Sequence, residues 1–179
     1  MPGNKRPTTR ATMTTPDVID RLMGLAPDAP LSALRHQRPA VRQHSQGSFD
    51  ALLEPADASD LSRTEREAVA LRVATLHGCE PLITLHRERL AALAASPAAI
   101  DAAAAGPDAP GQDGRQVALL RHADMLSLTP IDARPDHLKA LADAGLSPAA
   151  IVTLSQLVGF VAYQVRVVAG LALLQGSTS

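Results

Sequence analysis

The sequence predicts an all-α protein, built as a bundle of helices in one domain. Alanine and leucine dominate the 179 residues, whereas aromatic residues make up only 2% and tryptophan is absent. Alanine and leucine are strong helix formers, while aromatic and β-branched residues are the ones that strands favour. Helix-start signals, a serine or proline placed just before an apolar periodic stretch, recur along the chain. The length suits a single domain that can bury its own core.

The N-terminal part is predicted to consist of a tail and an extension. Residues 1–15 are polar and lack apolar periodicity, so we expect a disordered tail there. The extension is predicted to span 16–55, and its first helix covers 17–25, where the apolar spacing is helical. The proline-containing stretch 26–47 is expected to be an ordered arm or a linker. Residues 48–53 are expected to add one short helical turn.

The helical domain is predicted to span 56–179, and its first helix begins at a capping box. Ser62 is followed three residues later by Glu65, so each side chain can bond the other residue's backbone N–H. The helix then runs over 63–77, with Glu67 on an apolar stripe that is expected to face inward. Further helices are predicted over 81–95, 115–127, 135–144 and from 148 to about 174.

The last predicted helix is apolar almost all round. A run of 20 uncharged residues, 146–165, has the length of a membrane span, but it contains Gln156 and Gln164 and ends beside Arg166. A helix of this kind is buried in a core, in an oligomer interface or in lipid. We expect it to form a homo-oligomer interface rather than to cross a membrane. Arg166 is then expected in a buried ion pair or an interface contact.

Composition excludes several classes of partner and compartment. The net charge is −1, so nothing indicates a nucleic-acid-binding surface. One cysteine excludes an intrachain disulfide and fits a reducing cytoplasm. The N-terminal residues lack the apolar segment of a signal peptide, so we expect a cytoplasmic protein.

Three residues carry the chemistry that the sequence indicates: Cys79, His86 and Glu67. Cys79, the only thiol, follows a glycine and precedes Glu-Pro at a predicted helix start, where the helix dipole lowers a thiol pKa. His86 can move protons, and Glu67 can orient that histidine from the preceding helix. The seven residues between Cys79 and His86 put both on nearly one face, about 10 Å apart along the axis. The alternative is that Cys79 is a small buried apolar residue.

The other histidines give weaker signals. His77 lies two residues before the thiol, where it can approach the sulfur or face solvent. A metal site that combines His77 with Cys79, His86 and Glu67 fits no standard ligand spacing, so we expect neither a metal nor a cofactor. Four histidines in polar or loop contexts are expected at the surface: His36, His44, His122 and His137.

The run from Glu67 to His86 resembles the carboxymuconolactone decarboxylase-like family, which includes the alkyl hydroperoxidase D proteins. The family pattern is a glutamate, a Cys-x-x-Cys pair beginning twelve residues later, and a histidine four residues after the second cysteine. Glu67, Cys79 and His86 match three of these positions, while Leu82 stands at the second cysteine. The resemblance covers about 50–175; its closing segment resembles the terminal helix of a peroxidase-related branch, and the earlier residues resemble that branch's N-terminal extension.

The resemblance implies an alkyl hydroperoxidase D-like, oligomeric helical bundle. It also implies a peroxidase in which Cys79 is the redox thiol, His86 the proton shuttle and Glu67 its orienter. Without a second cysteine the family's disulfide cannot form, so an external thiol must reduce the oxidised Cys79. Two alternatives remain: a cofactor-free acid–base enzyme in which His86 and Glu67 act on a small lactone, and an inactive helical scaffold or binder. Thiol reactivity separates the peroxidase from both.

Overall fold

Several helices begin at a residue whose side chain caps the first turn, among them Ser62 and Asp113. Ser62 Oγ accepts a hydrogen bond from Glu65 N at 3.2 Å, and Glu65 Oε2 accepts one from Ser62 N at 2.7 Å, so the predicted capping box is confirmed. The computed structural model describes residues 16–176, and within that range it contains no strand. Its α-helices are α1 (Val18–Leu22), α2 (Pro30–His36), α3 (Pro39–Leu53), α4 (Arg63–Leu76), α5 (Glu80–Ala92), α6 (Pro97–Ala105), α7 (Gly114–Leu128), α8 (Pro135–Asp143) and α9 (Pro148–Gly176). The predicted all-α class is confirmed, and the predicted tail, residues 1–15, lies outside the described residues.

Two stretches differ from the sequence-based expectation. The stretch 26–47, expected to be an arm or a linker, forms α2 and most of α3, and residues 48–53 are the end of α3. Pro30 and Pro39 occupy the first turns of these helices, where the missing N–H of proline has no intrahelical role. The prolines that suggested a linker therefore start helices. The short helix α6, which no prediction covered, likewise begins at Pro97.

The core is organised around α4, which packs against α5, α6, α7 and α9. Val69 and Val73 of α4 are fully buried in the larger apolar cluster, which also contains residues of α3, α7 and α9. Leu71, on another side of α4, belongs to a smaller cluster formed with α5 and α6. Because α4 is covered on several sides, a polar residue on it can be buried completely.

The N-terminal extension is tied together by four charged residues. Arg35 of α2 pairs with Asp17 at 2.8 Å and also with Asp20, and Arg42 of α3 pairs with Asp20 at 2.7 Å. Ile19 of α1, 1% exposed, lies in the main core cluster. The extension is therefore joined to the domain by packing as well as by ion pairs.

Arg72 of α4 joins three helices. Its guanidinium group pairs with Asp124 of α7 at 2.7 Å and donates to the carbonyls of Ala104 and Ala105 at 2.9 and 3.0 Å. Gly106 follows α6 with φ of +108°, and a Cβ there would lie 2.6 Å from Arg72 Cζ. A side chain at Gly106 would therefore displace the guanidinium group that caps α6.

The last helix, α9, is only partly covered by the rest of the protein. It is long and apolar enough to cross a bilayer by length and composition, and 28% of its most apolar window is buried in the protein. Val152 and Leu173 are 56% and 77% exposed. Arg166 is exposed and donates to Ala162 O of its own helix at 2.6 Å, so it is not in a buried ion pair within this chain, and the alternative of an interface contact stays a prediction. The charged end of the long arginine side chain reaches water.

Candidate functional site

The turn between α4 and α5 positions the residues of the candidate site. Gly78, with φ of +61°, follows α4, and Cys79 is the N-cap of α5. Because this turn is short, the two helices run side by side, and a residue twelve positions before Cys79 lies near one seven positions after it. Glu67 and His86 are indeed in contact: His86 Nδ1 lies 2.8 Å from Glu67 Oε2, and both side chains are 0% exposed.

The hydrogen bond to Glu67 fixes the tautomer and the orientation of the His86 ring. An ionised carboxylate can only accept, so His86 Nδ1 carries the hydrogen. In the neutral imidazole the lone pair is then on Nε2. This atom is buried and has no hydrogen-bond partner among residues 16–176. The ring is thus oriented by one nitrogen and leaves the other available to accept a proton.

Arg89, which was not among the predicted site residues, is the second partner of the Glu67 carboxylate. Its Nε lies 2.6 Å from Glu67 Oε1, its Nη1 lies 2.6 Å from Glu54 Oε1, and its guanidinium group lies 5.1 Å from the centre of the Phe49 ring. Each oxygen of Glu67 therefore has its own partner, and the buried charge is balanced. The available signal was the spacing of Arg89, three residues after His86 on the same helix.

The thiol differs from the expectation of a lowered pKa. Burial raises the pKa of Cys79, and the charge of Glu80 adds to that effect, while a hydrogen bond from the Leu82 backbone N–H works in the opposite direction. Cys79 is 8% exposed. The predicted N-cap position is confirmed, but burial outweighs the helix end, so the expected depression of the pKa is wrong.

The Glu67–His86 pair and the Cys79 thiol are not hydrogen-bonded to each other, because His86 Nε2 has no partner among the described residues. One turn before His86 on α5 stands Leu82, which is completely buried. Four residues correspond to about 6 Å along a helix and seven to about 10 Å. The imidazole thus lies nearer, along α5, to Leu82 than to Cys79.

Four of the remaining histidines are partly or wholly inside the protein, and among them His36 and His137, expected at the surface, are half-buried. His77 is half-buried at the end of α4, and its Nε2 has no partner among residues 16–176, which excludes a bond from that atom to the thiol. His122, expected at the surface, is only 6% exposed because α7 packs against both α4 and α9. His44 is exposed as expected. Within the described part of the chain, no group of three or more potential ligands is placed to hold a metal ion.

Comparison with known proteins finds a family similarity over part of the chain and a similarity of fold to solved structures. A model of the carboxymuconolactone decarboxylase family matches residues 39–125. A crystal structure of an uncharacterised peroxidase-related protein from Silicibacter sp. TM1040 is similar with a TM-score of 0.68 and 20% identity, covering 73% of this chain and 67% of that one.

A second structure, an alkylhydroperoxidase AhpD core described as an uncharacterised peroxidase-related protein from Ralstonia eutropha JMP134, has a TM-score of 0.68 and 19% identity. The match covers 75% of this chain and 70% of that one. At these identities the two structures establish the fold. No curated protein matches the chain significantly.

Proposed function

We propose that the chain, which a model of the carboxymuconolactone decarboxylase family matches over residues 39–125, is a one-cysteine peroxidase that reduces a small hydroperoxide. Cys79 is the nucleophile, His86 the proton shuttle and Glu67 the residue that orients the histidine. The observation that carries the proposal is the buried 2.8 Å contact between Glu67 and His86, which leaves His86 Nε2 without a partner. His86, oriented in this way, can act as the base that removes the proton from the Cys79 thiol.

The raised pKa of Cys79 makes the proton shuttle essential to the proposal. With a pKa above its usual range, the thiol is mostly protonated near pH 7, and the thiolate is the reactive form. His86 accepts the thiol proton through the oxygens of the bound hydroperoxide or an intervening water, since Sγ and Nε2 are not bonded directly. General acid–base catalysis of this kind contributes about 10²–10⁴-fold to the rate.

The redox step consumes one hydroperoxide for each thiol. The Cys79 thiolate attacks the terminal oxygen of ROOH, the O–O bond breaks, and the alkoxide leaves as ROH after taking the proton from His86. The sulfur is oxidised to sulfenic acid. One external thiol then forms a mixed disulfide and releases water, and a second external thiol restores Cys79 and leaves as a disulfide. A reducing cytoplasm is the proposed location, since it supplies such thiols.

The test is hydroperoxide consumption with dithiothreitol as reductant, together with dimedone trapping of the sulfenic acid. The wild-type protein is expected to consume cumene hydroperoxide and to carry dimedone on Cys79 after peroxide treatment. Cys79→Ala is expected to abolish both signals. Equal peroxide consumption by wild type and Cys79→Ala would rule out the one-cysteine peroxidase.

A second candidate is a cofactor-free acid–base enzyme that acts on a small lactone through His86 and Glu67. The specific observation in its favour is that Leu82, not a thiol, stands one turn from His86, while Cys79 is 8% exposed with a raised pKa. Turnover of a lactone that survives Cys79→Ala and is lost in His86→Asn would establish this activity. If neither peroxide nor lactones react, the remaining alternative is a scaffold or binder.

We also propose that the protein is a homo-oligomer that covers the outer face of α9. The exposed apolar residues Val152, Leu173 and Leu174 support this proposal. Size-exclusion chromatography without detergent is expected to give a soluble multimer. A stable monomer at micromolar concentration, or a protein that needs detergent to stay in solution, would contradict it.

A further inference from the structure

A second histidine site lies between α7 and α8, away from Cys79, His86 and Glu67. It is a cavity of about 270 Å³ to which Cys79, Glu67 and His86 do not contribute. Four apolar side chains and two imidazoles line most of it: Val117, Ala118, Met125, Ala140, His122 and His137. A concave, mostly apolar pocket with a few polar groups is the usual form of a small-molecule site.

The contacts of His122 determine which of its nitrogens carries the hydrogen. Ser155 Oγ of α9 lies 3.0 Å from the carbonyl of Ile151, which can only accept, so the hydroxyl hydrogen is used there. Ser155 Oγ also lies 3.1 Å from His122 Nε2 and must therefore accept from an Nε2–H. Burial, and secondarily the neighbouring His137, lower the pKa of His122, which favours the neutral ring. The lone pair is then on Nδ1.

His122 Nδ1 is a buried acceptor with no partner among the described residues, in a side chain that is 94% buried. A buried acceptor left unpaired destabilises the protein, so a ligand that donates a hydrogen bond to it gains affinity. Nδ1 itself has almost no accessible surface, so we infer that Met125, an unbranched side chain that also lines the cavity, moves aside when a ligand reaches the ring.

His137 supplies the complementary group. Its Nδ1 accepts from the Arg134 backbone N–H at 3.3 Å at the start of α8, so in the neutral ring the hydrogen is on Nε2. The cavity thus contains one imidazole that accepts and one that donates. Arg121, which also lines it, is 67% exposed and lies 3.6 Å from Asp108, so its charge is directed to the outer surface.

We propose that this cavity binds a small apolar molecule with a hydroxyl group, of the phenol class. The hydroxyl donates to His122 Nδ1 and accepts from His137 Nε2–H, while the ring packs on the apolar lining. A cavity of about 150 Å³ accommodates benzene, so about 270 Å³ leaves room for a substituted ring. A carboxylate fits less well, because it would bring a second acceptor against Nδ1. The proposal is independent of the peroxidase, since the two sites share no residue.

The test is calorimetric titration of the full chain with phenol, anisole and benzoate at pH 8. Anisole keeps the ring and the oxygen but lacks the donor hydrogen. Phenol is expected to bind at least tenfold more tightly than anisole, and the ¹⁵N resonance of His122 Nδ1 is expected to shift on binding. Equal binding of phenol and anisole, tighter binding of benzoate, or no phenol binding at millimolar concentration would each overturn the proposal.

Two variants locate the site. His122→Leu is expected to bring phenol affinity down to that of anisole. Ser155→Ala keeps the imidazole but releases its Nε2–H, so it is expected to weaken phenol binding by a smaller factor, about threefold to tenfold. Lys139→Ala on α8, whose side chain is 71% exposed and does not line this cavity, is the matched control. If Ser155→Ala folds normally and binds phenol as the wild type does, the assigned orientation of His122 is wrong.

Discussion

His86 and His122 are both buried, both are held by one ring nitrogen, and both leave the other nitrogen without a partner within residues 16–176. They differ in what holds them. His86 is held by an ionised carboxylate that Arg89 also neutralises, whereas His122 is held by the hydroxyl of Ser155. A carboxylate stabilises an imidazolium as it forms, and a hydroxyl does not. His86 is therefore suited to accept a proton, whereas His122 is suited to remain a neutral hydrogen-bonding group.

The strongest test of this comparison is catalytic. His86→Asn removes the proposed base, so turnover of the hydroperoxide is expected to fall by about 10²–10⁴-fold. His44→Asn is the matched control, because His44 is exposed on α3 and its replacement is expected to leave the rate within about twofold. Initial rates of peroxide loss at pH 7 measure the effect. A wild-type rate in His86→Asn would mean that His86 is not the catalytic base.

The next difference is in stability. Glu67→Leu leaves Arg89 and His86 without their buried partner and is expected to lower the free energy of unfolding by about 3–5 kcal/mol. Ser155→Ala removes a neutral hydrogen bond and is expected to cost only about 0.5–1.5 kcal/mol. Glu54→Gln, at the exposed end of the Arg89 network, is the control and is expected to cost about 0–1 kcal/mol. Urea unfolding compares all three, and equal losses would contradict the assigned roles.

The pH dependence of stability should report His122. Its pKa is lowered by burial, so the folded state binds fewer protons than the unfolded state just below the ordinary pKa of about 6.5. The stabilisation is present above pH 6.5 and is lost as the pH falls through the pKa of the folded protein. His122→Leu is therefore expected to lose less stability than wild type between pH 7 and pH 5. Parallel stability curves from thermal unfolding would show that His122 does not contribute.

The smallest expected effect concerns the thiol. Since burial raises the pKa of Cys79, the midpoint of its alkylation rate against pH is expected above the free-cysteine value of about 8.5. Iodoacetamide labelling followed by mass spectrometry measures this midpoint in the folded protein. A midpoint below 8 would mean that the helix end prevails over burial, as the sequence alone suggested.

The part of the site that the sequence predicted is the part specified by nearby residues. The capping box at Ser62 and the short turn before Cys79 were enough to bring Glu67 and His86 together. The pairing of Arg89 and the burial of His122 could not be predicted, because they depend on how α5 meets the end of α3 and how α7 meets α9. The pKa of Cys79 was predicted in the wrong direction for the same reason: the helix end is local, whereas burial comes from the whole fold. Proline was misinterpreted because a linker and a first helical turn use it equally well.

The contacts of Arg72 also have a consequence for the order of folding. The nine-residue helix α6 is too short to be stable alone in water, and its last carbonyls are capped by an arginine of α4 that also pairs with Asp124 of α7. That cap exists only after α6 has packed against α4, and Asp124 of α7 then holds the guanidinium group in place. The helix is therefore expected to form after the folding transition state, with φ-values near zero, and to exchange its amide hydrogens before those of α4.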